Sequence, residues 1–249
     1  MNLARLRDLT PARVALGRAG DSLPTRALLE FQLAHARARD AVHARLDAQQ
    51  LALELEPIAG ACLVVSSAAP DRATYLRRPD LGRRLSETSR ELLNRIRAHF
   101  DAALLIVDGL SALAVERHIP PLLKAFFDLL DPGNWKLAPV VIVEQGRVAI
   151  GDDAAICLGA FQAVVFIGER PGLSSPDSLG IYLTWNPHPE STDADRNCIS
   201  NIRAEGLSYA AAAQELISLM TESRQKKLSG VGLKLLNREA TTFLNPHSL

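Results

Sequence analysis

An apolar run, Ala163-Val164-Val165-Phe166-Ile167, opens into Gly168-Glu169-Arg170-Pro171-Gly172, and Asp195-Arg196-Asn197-Cys198-Ile199-Ser200-Asn201 follows downstream. A carboxylate set where a buried strand exits into a Pro-Gly segment suits the rim of an open α/β sheet, where such folds hold ligands. The segment Arg170-Pro171-Gly172-Leu173 predicts a type II turn, with Gly172 at the position that needs positive φ. Asp108-Gly109 closes an earlier apolar run, so its carboxylate is expected on the same rim as Glu169. Two carboxylates there could serve as acid and base. Asp-Gly is also an ordinary strand-exit turn, and that reading is preferred. Taken alone, Cys198 reads as a buried structural thiol.

Other polar groups carry weaker chemistry. His35, Arg39 and His43 share a helical stripe, but at a rise of about 1.5 Å per residue two histidines eight positions apart cannot meet at one metal ion. The stripe reads as a polar face toward solvent or a partner. Arg77-Arg78-Pro79-Asp80-Leu81-Gly82-Arg83-Arg84 is the densest positive cluster. It could hold a phosphate, although Asp80 neutralises part of it and arginine forks serve ordinary interfaces equally well. No G-x-S-x-G elbow and no P-loop occur. The residues after the first strand, Ser66-Ser67-Ala68-Ala69-Pro70, lack the glycines of a dinucleotide fingerprint. Neither a nucleophile, a metal cluster nor an acid/base pair emerges, so no catalytic residue and no metal ligand is assigned to this chain.

The elements that must position the rim follow from periodicity. Four short β-branched runs, at 61–65, 103–107, 140–143 and 163–167, lack polar alternation and read as strands buried on both faces of a mostly parallel sheet. A fifth strand is expected at 180–184. The stretches 79–99, 110–130 and 152–158 read as crossover helices, with Pro120-Pro121 breaking or restarting the second. Residues 209–223 read as a covering helix. Upstream, Asp21 or Ser22 can cap one long helix reaching Asp47, in which Leu28, Phe31, His35, Val42 and Leu46 recur at near-helical spacing. Its apolar face calls for a partner to cover it. The reading is a Rossmann-like, doubly wound α/β sheet with an N-terminal helical region: residues 1–55 helical and partner-contacting, residues 56–249 the α/β domain, with a soft boundary near Pro57.

Composition narrows the function classes. A chain of 249 residues buries roughly 70 to 75% of its unfolded surface, enough for one substantial core. Its 28 basic and 28 acidic residues cancel, which argues against nucleic acid or an anionic membrane as partner. The three cysteines lack C-x-x-C spacing and fit a reducing, bacterial-type interior. No run has the length of a membrane span, and the start lacks a signal-peptide pattern. A soluble, non-secreted protein is expected.

Several segments together resemble the small subunit of ethanolamine ammonia-lyase. They include Ala12-Arg13-Val14 through Gly20, Tyr75-Leu76 through Leu85, Asp108-Gly109-Leu110-Ser111, Gly146-Arg147-Val148, Gly168-Glu169-Arg170-Pro171-Gly172-Leu173 and Asp195-Arg196-Asn197-Cys198-Ile199-Ser200-Asn201-Ile202. They keep one order across residues 12 to about 232. The resemblance implies a heteromeric lyase that converts ethanolamine to acetaldehyde and ammonia by adenosylcobalamin radical chemistry. It places the reaction centre on a large barrel subunit, with the small subunit covering the cofactor. It also implies that Val148, Glu169 and Cys198 contact the cobalamin. No D-x-H-x-x-G pattern occurs, so no protein histidine is expected to replace the cofactor's own base. Residence in the bacterial cytoplasm is implied, with an ethanolamine-utilisation microcompartment as the alternative. The competing reading is a nucleotide-binding or regulatory α/β protein without cobalamin, using the Arg77 to Arg84 cluster.

Overall fold

The computed structural model describes residue 10 and residues 12–234. Helices α1 (Thr25–His43) and α2 (Ala48–Ala59) precede the sheet. Then come β1 (Leu63–Ser66), α3 (Arg72–Arg77), α4 (Glu87–Arg95), β2 (Phe100–Val107), α5 (Ala112–Leu129) and β3 (Val141–Glu144). The chain continues through α6 (Ile150–Leu158), β4 (Ala160–Gly168), β5 (Leu179–Trp185), β6 (Arg196–Ile202) and α7 (Tyr209–Lys226). The six strands form one sheet in the order β1-β3-β2-β4-β5-β6. The first four run parallel, and β5 and β6 add two antiparallel pairings.

Burial follows the apolar runs. Residues 102–107 of β2 are fully buried, and β3 and β4 are nearly so. Helices α2, α5 and α7 close one face of the sheet around Leu55, Ile119, Phe126 and Met220. Helices α4 and α6 close the other around Leu93, Ile150 and Leu158. Covering both faces explains why these strands carry no polar alternation. The carboxyl ends of the four parallel strands share one rim, with Val107 in register with Val143 on one side and Ile167 on the other.

Several elements differ from the sequence reading. The expected single helix up to Asp47 is two helices. The first starts after Pro24 without a side-chain cap, and Ser22 pairs with Ala19 instead of capping. Its end comes at His43, and Asp47 caps the second helix by accepting the Gln50 amide at 3.0 Å. Leu51 and Leu55 of α2, four apart, enter the main core, and Pro57 lies inside α2. The stretch 79–99 holds only one α-helix, α4, preceded by α3 and a single 3-10 turn at Leu81–Arg83. Pro120 and Pro121 do not break α5. The carbonyls they deprive of donors belong to Glu116 and Arg117, both exposed, where solvent can satisfy them. The opposite face stays packed through Val115, Ile119, Leu122 and Phe126. Finally, β6 was not expected. Its polar residues are buried by specific partners rather than by periodicity: Arg196 pairs with buried Asp152, and Asn197 accepts the Gly230 amide at 2.6 Å.

Candidate functional site

The rim next to β4 is a pocket of about 400 Å³ that includes Gly109, Arg147, Val148, Gly168, Glu169 and Tyr182 in its lining. Its floor is backbone. Gly109 has φ of +57°, and a Cβ there would lie 2.3 Å from the Gly168 carbonyl oxygen. A Cβ on Gly168 would in turn lie 2.1 Å from the Ser111 carbonyl oxygen. Only paired glycines let the β2 and β4 exits approach this closely. The side chains around the floor therefore come from the walls.

Glu169 is held from three directions. Its amide donates to the Ser178 carbonyl at 2.9 Å, the Ser178 hydroxyl donates to its carboxylate, and the carboxylate lies over Gly180. A Cβ on Gly180 would sit 2.8 Å from Glu169 Oε1. Because side chains alternate along a strand, Gly180 and Tyr182 share one face of β5. Tyr182 is directly opposite Cys198 of β6. Burial pushes the Tyr182 phenol above its ordinary value, aided by Cys198 and Glu169. The cover that Cys198 receives from its neighbours likewise raises its thiol pKa, although the residue itself is exposed.

Of the three residues picked out in the sequence, Val148 and Glu169 thus line one pocket. Cys198 stands one strand further, reached through Tyr182. The expectation of a buried thiol is corrected, since β6 is the last strand of the sheet and turns this position outward. The expected type II turn is also absent. Gly172 does not have positive φ, and its amide donates to the Ser175 carbonyl at 3.0 Å, so the loop closes further on. Asp108 sits on the same rim but turns away from Glu169. Its carboxylate accepts the Gly146 amide at 3.0 Å and pairs with Arg72 at 3.2 Å, fully buried. It is a pin between strand ends, a role that the strand-exit turn reading did not include.

Sequence reasoning missed Ser178, Gly180 and Tyr182. Gly180 and Tyr182 alternate on one face of β5, and Ser178 lies just before the strand begins. Arg147 was missed as well. Its guanidinium stacks on the buried Tyr75 ring at 4.3 Å, and its Nε is buried without a hydrogen-bond partner. Arg78 forks onto Asp80 at 2.9 and 2.7 Å, so part of the Arg77 to Arg84 cluster neutralises itself. His35, Arg39 and His43 line a second pocket of about 500 Å³, between α1 and the Arg170-Pro171 segment. Among the described residues no group of three or more His, Cys, Asp or Glu side chains is placed to hold a metal ion. No helix among them is long and apolar enough to cross a membrane.

The sequence matches the family model for the ethanolamine ammonia-lyase light chain (EutC) over residues 1–234. The chain belongs to this family. A curated relative from Pseudomonas fluorescens, an ethanolamine ammonia-lyase small subunit, is 56% identical over 233 residues, covering 92% of this chain and 85% of the relative. Small subunits from Pseudomonas putida and Pseudomonas aeruginosa are 55% and 54% identical over 236 residues each, covering 92% of this chain and 86% and 85% of theirs. The light-chain match includes β6 and every rim residue described above.

The pocket's chemistry fits one edge of a corrinoid. An amide-rimmed macrocycle presents mostly N–H donors and carbonyl acceptors around an apolar ring, and Glu169, an acceptor without donors when ionised, would meet the donors. Val148 and Ile167 offer apolar wall. Arg147 also lines this pocket, with its Nε buried without a hydrogen-bond partner.

Proposed function

We propose that this chain is the small subunit of adenosylcobalamin-dependent ethanolamine ammonia-lyase, holding and shielding the cofactor against a large catalytic subunit. The observation that carries the reading is the convergence of Val148 and Glu169 on one open pocket within a light-chain family member. Glu169 accepts hydrogen bonds from the corrin amides, Val148 packs against the ring edge, and Cys198 forms a small, weakly polar wall beyond Tyr182. When bound, the cofactor supplies the radical chemistry of the deamination. This chain positions the cofactor and excludes water, and contributes no catalytic residue.

In this reading the sheet is Rossmann-like, with helices on both faces and the ligand at the carboxyl ends of the parallel strands. Residues 56–249 form the cofactor domain, and the first 55 reach the partner chiefly through α1. The hetero-oligomer works in the bacterial cytoplasm or an ethanolamine-utilisation microcompartment.

Mixing the purified chain with the large subunit and adenosylcobalamin tests the reading: deamination of ethanolamine should require both chains. Equal activity from the large subunit alone would refute it. In the complex, Glu169→Ala should weaken cofactor binding by on the order of 1 to 3 kcal/mol, the cost of losing a charge-assisted acceptor, and leave assembly unchanged. Absorbance titration reads the affinity, and an unaltered value removes Glu169 from the contact surface.

A further inference from the structure

Glu169 opens the segment that joins β4 to β5. A free side chain of its length gives up rotamer entropy when a ligand fixes it. Two residues at the far end of the segment hold it beforehand. Ser178, buried, donates its hydroxyl to one carboxylate oxygen, Oε2, and its carbonyl accepts the Glu169 amide at 2.9 Å. The other oxygen, Oε1, lies where residue 180 has no side chain. A Cβ on Gly180 would come within 2.8 Å of Oε1, and the three atoms nearest to it all belong to Glu169. Gly180 has no positive φ. Its backbone does not require glycine, but the space taken by the carboxylate does.

Ser178 is in turn placed by α5. The Leu110 amide donates to the Gly168 carbonyl at 2.9 Å, which fixes the start of the segment. At its return, the hydroxyl of Ser111, the N-cap of α5, donates to the Pro176 carbonyl at 3.0 Å. One residue on, Asp177 accepts from Arg117 at 2.8 Å, and His118 stands 3.6 Å from the same oxygen. Of the consecutive residues 176–178, the first two are therefore tied to α5 and the third to Glu169. The Arg117 pair is more than half exposed on the arginine side and is worth little by itself. The hydroxyl contact and the glycine carry the placement of the carboxylate.

We infer that Ser178 and Gly180 are positioning residues for the Glu169 carboxylate. Ser178 ties one oxygen and Gly180 makes room for the other, so the acceptor is in place before a ligand arrives. Neither residue lines the pocket, so both act through Glu169. The inference rests on the reading of Glu169 as a cobalamin contact and adds how that contact is kept ready. A group ordered in advance spares the ligand the cost of ordering it.

The test uses the assembled complex with cyanocobalamin as the probe, followed by visible absorbance. Ser178→Ala and Gly180→Ala are made singly, and each again together with Glu169→Ala. Each single variant should bind the probe about three- to tenfold more weakly, the range expected when one side chain must be ordered on binding. In the Glu169→Ala background neither should weaken binding further, because the group they position is gone. A merely structural role would lower affinity by the same factor in both backgrounds, and that result overturns the inference. Full affinity in a single variant, while Glu169→Ala weakens binding, overturns the assignment for that residue and leaves the Glu169 contact standing. If Ser178→Ala does not fold, Gly180→Ala decides alone, since its added methyl first meets the movable side chain of Glu169. A Glu169→Ala complex that binds the probe as the wild type does removes the contact itself, and the positioning inference with it.

Discussion

At the scale of single residues the rim sorts its two carboxylates by environment. Glu169 is half exposed and held by Ser178, ready to accept from a ligand. Asp108 is 1% exposed, and burial pushes its carboxyl up to about 6 even though Arg72 and the Gly146 amide pull it down. Such a group keeps its proton in the fold at a pH where the unfolded chain has released it. Its contribution to stability is therefore complete below the ordinary carboxylate range and is lost as pH rises through about 6. Between roughly pH 4 and pH 7 the wild type should lose up to about 3 kcal/mol relative to Asp108→Asn, which cannot titrate. Chemical denaturation of both proteins at the two pH values reads the difference, and a pH-independent gap would show that Asp108 ionises normally. The sequence showed Glu169 because a lone acid beside Pro-Gly breaks an apolar pattern. It could not show Ser178 or Tyr182, whose meaning comes from pairing across strands.

Among the elements, α1 stands apart from the rest. Only Ala27 and Ala41 are buried along it, while Leu28, Leu29, Phe31 and Leu33 are exposed. Four large apolar residues on a water-facing helix suit the partner contact proposed for this region. Leu29 and Leu33, 58% and 53% exposed, lie one turn apart. Replacing both with Ala should weaken association with the large subunit by about a hundredfold or more, since each buried Leu is worth roughly 1.5 to 3 kcal/mol. The melting temperature of the isolated chain should hardly move. Sedimentation of the mixed subunits measures the association, and an unchanged constant places the interface elsewhere. The uncovered face was legible in the sequence, where Leu28 and Phe31 already lacked a partner. The break at His43 was not, because Asp47 acts as a cap only once Leu46 has turned into the core. Apolar strands were legible for the opposite reason: burial on both faces leaves no ambiguity of period. Strand β6 hid behind Arg196 and Asn197, whose polarity is satisfied by partners far along the chain.

For the molecule as a whole, the proposed cofactor site is half a site. The rim pocket is small for a macrocycle, and Cys198, the proposed outer wall, faces solvent from the last strand of the sheet. A ligand that must be kept from water therefore needs a second surface, and the exposed stripe of α1 and the rim are where this chain can receive one. Cys198 makes the closure measurable. In the isolated chain its thiol should alkylate, with a rate that climbs only above the usual thiol range because its pKa is raised. Cys157, buried, and Cys62, half-buried, serve as internal references in the same sample. Adding the large subunit with adenosylcobalamin should slow Cys198 to near the rate of Cys157 and leave Cys62 as it was. Mass spectrometry of the labelled peptides follows all three thiols at once. If Cys198 reacts as fast in the loaded complex as alone, the β6 edge lies outside the closed site, and the cofactor wall must be sought nearer Glu169 and Tyr182.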